Sequence, residues 1–124
     1  MHRTADIEFT VSLSELKRAF RRLSARLSDE SEAGEEFVVF DASDSNLEIM
    51  ASRTSEGLSA SVVYAGRARV PFPVFRGVAR IMRFYREKTV RLTFSAGVFR
   101  VDHTEFRHAG ISALPMWDSV RWDG

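Results

Sequence analysis

The sequence predicts an α+β fold in which two helices pack on antiparallel sheets, built from a β-α-β-β-β order that occurs twice. Three observations lead there. Segments 12–27 and 73–88 repeat apolar residues at three- and four-residue intervals, which gathers them on one helical face. The other ordered segments are short runs in which apolar and polar residues alternate, as in strands with one buried face. Strand, basic helix and three further strands then recur in the same order about 60 residues later. Identity between the halves is slight, so the repeat is one of pattern.

Taken in order, "EFTV" (8–11) reads as the first strand and "SLSELKRAFRRLSARL" (12–27) as the first helix. Leu13, Leu16, Phe20, Leu23 and Leu27 form its apolar stripe, and Ser12 followed by Glu15 is a capping box. The acidic run "LSDESEAGEE" (27–36), with Gly34 as breaker, reads as an exposed loop. "FVVFDA" (37–42), "NLEIMA" (46–51) and "LSASVVY" (58–64) are the next strands, the first two joined by turn residues "DSN". The second half opens with "RARV" (67–70) and the helix 73–88, where Pro73 suits the first turn and Val74, Val78, Ile81, Met82 and Tyr85 form the stripe. "TVRLTF" (89–94), "VFRVDH" (98–103) and "EFRHAGIS" (105–112) close the pattern.

The chain has 124 residues, 44% hydrophobic and 28% charged, the composition of a folded domain with its own core. The absence of cysteine excludes disulfides, thiolate metal sites and a cysteine nucleophile. No apolar run reaches the ~20 residues of a membrane span, and "MHRTADIEF" lacks a signal peptide's apolar core, so a cytoplasmic protein without a membrane partner is expected. The formal net charge of +1 conceals a sorting by segment. Each helix carries five basic residues against one acidic, so the rest of the chain nets −7. Arg18, Arg21 and Arg22, and in the second helix Arg76, Arg80 and Arg83, project away from the apolar stripes. A solvated charged face is the plain reading of such a run; phosphate binding is the other.

The local wording resembles one domain of the DNA sliding clamps, and is most similar to the N-terminal domain of the bacterial polymerase III β clamp. "FTVSLSELKRAFRRLS" resembles that family's first strand and helix, and "FDASDSNLEIMASRTSEGLSASV" its following hairpin and outward strand. "GRARVPFPVFRGVARIM" resembles the glycine-led strand, "VP" step and second helix, and "VRLTFSAGVFRVDHTEFRHAGISALP" the closing meander. No single motif is diagnostic; order and spacing over residues 7 to 115 carry the likeness. Two departures stand out: the approach to the strand after the first helix is acidic and lacks proline, and the chain holds one such domain where clamp chains hold two or three.

The resemblance implies a non-catalytic DNA-clamp-type domain over 1–115, followed by a tail, 116–124. Its helices would present Lys17, Arg18, Arg21, Arg22, Arg76, Arg80 and Arg83 to the phosphate backbone of duplex DNA, without sequence specificity. It implies head-to-tail homo-oligomers through edge strands 58–64 and 105–112, six copies being needed to close a ring from one domain each. Monomers with edges guarded by Arg107 and His108 are the alternative. A polymerase or repair protein is the implied partner; a protein-interaction module on the same fold, neither closing a ring nor binding DNA, is the alternative function. No catalytic motif, cofactor loop or metal-ligand spacing is present: His103 with Glu105, and Asp41, Asp44 and Asn46, read as turn and strand residues. Met116, Trp117, Val120 and Trp122 in the tail read either as a partner element or as a cover for the domain's own core.

Overall fold

Alternation decides the strands. In β1 (Ile7–Ser12) of the computed structural model, Ile7, Phe9 and Val11 are buried and the residues between them half-exposed. The structure describes residues 5–27, 37–51 and 54–115; the acidic loop beyond residue 27 and the tail with Trp117 and Trp122 lie outside the described residues. α1 (Leu13–Leu27) follows β1 directly, with the Glu15 amide donating to Ser12 Oγ at 3.3 Å as the capping pattern predicts. Leu13, Leu16, Ala19, Phe20 and Leu23 are its buried face. β2 (Phe37–Ser43), β3 (Asn46–Ala51), β4 (Thr54–Tyr64) and β5 (Gly66–Pro71) lead into α2 (Phe72–Ile81). β6 (Thr89–Ser95), β7 (Val98–Val101), β8 (Thr104–Arg107) and β9 (Ser112–Pro115) complete the order.

The second helix is shorter than its periodicity suggests. After Ile81 it tightens into a 3₁₀ turn, Met82–Phe84, and Tyr85 is extended. The cause is tertiary: the Tyr85 hydroxyl donates to Val101 O at 2.8 Å and lies 3.0 Å from Thr104 Oγ1, which draws the chain off the helical path. Tyr85 therefore anchors the exit strand rather than continuing the stripe. Phe72 and Phe75, outside the expected stripe, are both buried.

The strands form one nine-stranded order, β8-β7-β6-β1-β4-β3-β2-β5-β9, with every ladder antiparallel. Laid flat, nine strands would be about 38 Å across, yet the two end strands are joined by residues 108–111 alone, a link of at most about 18 Å. The sheet must therefore curl until its ends meet, and β9 indeed touches both β1 and β6. Inside the curl lie 28 buried apolar residues and, among the described residues, no buried polar or charged one.

Two sequence expectations are corrected here. Segment 58–64 is part of a longer strand: β4 pairs with β3 through residues 54–59 and with β1 through 60–64, so it sits in the middle of the order while each paired residue has a partner strand on one side alone. Segment 105–112 is not one strand but two, which lie at opposite ends of the sheet. A tight corner separates them. Gly110 N–H donates to His108 Nδ1 at 2.9 Å, and a Cβ at Gly110 would come within 2.8 Å of the Pro71 ring. Gly97 clasps the corner from the β6–β7 turn, donating to Ile111 O and accepting from the His108 amide. The strict β-α-β-β-β count is thus not reproduced in the second half. The ladders nevertheless correspond: β7–β8 answers β3 with the first part of β4, and β5–β9 answers β1 with the second part.

Eight of the ten phenylalanines form a connected set of ring contacts. Phe94 and Phe99 stack at 4.2 Å, Phe40 meets both, Phe20 of α1 meets Phe40 at 6.1 Å, and Phe20 stacks on Phe75 of α2 at 4.4 Å. The set runs from the sheet through one helix into the other. Phe20→Ala or Phe75→Ala is expected to cost about 3–5 kcal/mol of stability in urea denaturation. Phe84→Ala, at a residue 79% exposed, is expected to stay within about 0.5 kcal/mol of the parent.

Candidate nucleic-acid interface

Between α1 and α2 lies a groove whose floor is apolar and whose walls are basic. Phe20 and Met82, both buried, form the floor. Ser24 of α1 and Ala79 of α2, both small, line it as well. Lys17 and Arg21 of α1 rise on one side and Arg83 on the other, around a hollow of about 310 Å³. A shallower continuation is lined by Arg76, Arg80 and Arg83. Lys17 donates to Tyr85 O at 3.2 Å, tying α1 to the end of the 3₁₀ turn. A second hollow beyond it is lined by Ser12, Ser14, Lys17, Tyr85, Arg86, Glu87 and Lys88, so one carboxylate stands among its cations.

Of the seven basic residues singled out in the sequence, Lys17, Arg21, Arg76, Arg80 and Arg83 therefore converge on one groove. Arg18 and Arg22, one helical turn apart, are exposed outside it, and Arg22 reaches Glu56 of β4 at 3.3 Å. Arg86 and Lys88 were legible as basic residues of the segment, yet periodicity placed them on a helix. Only the chain's departure after the 3₁₀ turn brings them around the second hollow.

Pairing separates these arginines from the others. On the strands, Arg67 meets Asp41 at 3.0 Å, Arg91 meets Glu8 at 3.7 Å, and Arg100 and Arg107 share Glu105. Among the described residues, no carboxylate pairs with Arg18, Arg21, Arg76, Arg80 or Arg83. α2 has no acidic residue in its first turn, and Glu15 is the acid at the start of α1. The guanidinium of Arg76 lies 5.7 Å from the Phe72 ring centroid, which orients it without neutralising it. Cations gathered without counter-charges raise the local positive potential and repel one another, a cost that bound phosphate relieves.

The acidic residues weighed as ligands are engaged elsewhere. Glu105 is held between Arg100 and Arg107, and Asp41 by Arg67. Among the described residues, no three His, Cys, Asp or Glu side chains are grouped to hold a metal ion, and no helix is long and apolar enough to cross a membrane.

Comparison with solved structures identifies the architecture. The β sliding clamp of Caulobacter crescentus superposes with a TM-score of 0.64 at 18% identity, covering 90% of this chain and 31% of that one. The sliding clamp of Bartonella birtlesii, solved with griselimycin, gives 0.64 at 18% identity over 90% of this chain and 30% of that one. The Bacillus subtilis clamp gives 0.63 at 15% identity over 87% and 31%. The chain is therefore a sheet-rich α+β domain of sliding-clamp fold, and it spans about a third of the length of these clamp chains. No protein-family model and no curated protein matches the sequence.

The hydrogen bond from Arg100, followed by the guanidinium of Arg107, holds the Glu105 carboxyl below the usual glutamate value of 4.5. A depressed value means the native state favours the ionised form. The pairing's contribution is then present above the unfolded-state value and is lost as pH falls through the native one. The stability gap between the parent and Glu105→Gln is expected to be largest at pH well above the ordinary glutamate value and to close as the pH falls below it, measured by denaturation at a series of pH values.

Proposed function

We propose that this chain is a non-catalytic clamp-type module, comprising residues 1–115, that binds or encircles duplex DNA through phosphate contacts and assists a polymerase or repair factor. The observation that carries the reading is the inter-helix groove: Lys17, Arg21, Arg76, Arg80 and Arg83 line it, and no carboxylate does. Arg18 and Arg22 widen the same basic surface on the far side of α1. Charge and reach suffice for phosphate contacts, so binding is indifferent to base sequence and steeply salt-dependent. The solved structures compared above are sliding clamps, which supports the assignment at the level of fold.

Assembly belongs to the same proposal. Open strand edges support it: β9 ends the strand order and β4 pairs on one side at a time, and Leu114 and Val63 on them are 59% and 57% exposed. A further copy, added head to tail, is the partner proposed. The same two residues support the second reading, a clamp-fold interaction module whose strands dock another protein and whose helices do not contact DNA.

Fluorescence anisotropy with duplexes of unrelated sequence tests the first reading. The parent is expected to bind all of them alike, with log K falling by close to one per log unit of salt for each phosphate contact. Arg21→Glu, Arg76→Glu, Arg80→Glu and Arg83→Glu combined are expected to abolish binding while the melting temperature shows a folded domain. Normal binding by that folded variant would refute the groove assignment. Light scattering over a concentration series tests assembly: a discrete oligomer that breaks down in a Leu114→Arg variant supports head-to-tail contact, and a strict monomer excludes self-assembly under those conditions.

A further inference from the structure

Phe84 is out of keeping with the rest of the fold. It is the most exposed large apolar residue among those described, at 79%, whereas eight other phenylalanines take part in the ring contacts of the interior. It closes the 3₁₀ turn between Arg83, which lines the inter-helix groove, and Tyr85 and Arg86, which line the second hollow. The turn is held on both sides of it, by the Tyr85 amide to Met82 O at 3.1 Å and by Lys17 to Tyr85 O. The ring is thus presented from a fixed backbone. The other exposed large apolar side chains, Phe37, Val63 and Leu114, stand on strands β2, β4 and β9, so Phe84 is not part of a broad apolar stretch on its own element. A docking site for a protein needs a contiguous apolar patch. A single ring beside the unpaired groove arginines, with Arg86 and Lys88 outnumbering Glu87 on its other side, suits a nucleic acid, whose phosphates meet the cations and whose unpaired bases stack on the ring.

We infer that Phe84 is a stacking platform for an unpaired base, so that the chain favours nucleic acid with a single-stranded segment, such as a duplex-to-single-strand junction, over uniform duplex. The inference rests on the phosphate-binding reading of the groove and adds base contact to it. Duplex phosphates lie along Arg76, Arg80 and Arg83, and the strand that leaves the duplex passes Phe84 towards Arg86 and Lys88 of the second hollow. In uniform duplex the bases are already stacked on one another, so the ring gains nothing there.

Anisotropy with three labelled probes at one salt concentration tests this: a uniform duplex, a junction of equal length and a single strand. The parent is expected to bind junction and single strand more tightly than duplex. Phe84→Ala should weaken those two about tenfold and leave duplex affinity and its salt slope unchanged, while Phe84→Trp retains the preference. Phe84→Trp should also show indole quenching on adding single strand, relative to the parent's own tryptophans. Equal binding of all three probes by the parent, or the same affinities in Phe84→Ala as in the parent, would overturn the inference and leave the groove reading standing. Loss of duplex binding alone, with single-strand binding kept, would instead overturn the duplex reading and retain Phe84 as the platform.

Discussion

The stacked pair of Phe20 and Phe75, 4.4 Å between ring centres, fixes how the two helices stand against each other. Phe20 also touches Phe40 of β2, and Phe40 touches Phe94 and Phe99, so the pair is rooted in the curled sheet. Everything functional on this face follows from that placement. With Phe20 and Met82 as floor and Ser24 and Ala79 among the lining residues, the basic side chains of α1 and α2 have one common outlet. The proposed phosphate contact is in this sense a consequence of aromatic packing.

Charge is distributed by element with a consistent logic. Strand arginines are matched to nearby carboxylates: Arg67 to Asp41, Arg91 to Glu8, Arg100 and Arg107 to Glu105. These exposed pairs contribute little to stability, but they cancel fields on the sheet surface. The groove cations lack such partners among the described residues, so the positive potential is concentrated between the helices. Arg22 stands between the two regimes, on a helix yet paired with Glu56.

The corner at 108–111 gives the fold its asymmetry. In the first half one strand, β4, serves two neighbours in succession, β3 and then β1. In the second half the corresponding duties fall to β8 and β9, separated by a turn that Gly110 allows against Pro71 and that Gly97 braces. The interruption leaves β8 and β9 as the two ends of the strand order, while β4 runs unbroken through its middle, paired first with β3 and then with β1. Gly77 permits a related close approach, since a Cβ there would lie 3.1 Å from the ring of Phe106 on β8.

Much of this was legible from local pattern. Alternation and helical periodicity depend on nearest neighbours along the chain, so β1, α1, the β2–β3 hairpin and the start of α2 fall close to where the residues place them. The charge of each helix is likewise a property of the sequence alone, as is its projection away from the apolar stripe. What local pattern could not supply were events set by distant partners. Val101 and Thr104 capture the Tyr85 hydroxyl and end the second helix early, and Pro71 and Gly97 shape the corner that splits 105–112 in two. Periodicity likewise cannot say that five of seven basic residues meet in one groove while Arg18 and Arg22 do not. Composition and spacing by themselves determined that this chain has two basic amphipathic helices and antiparallel strands. Only tertiary packing decided which arginines face each other, because that depends on the contact of Phe20 with Phe75, 55 residues apart in the chain.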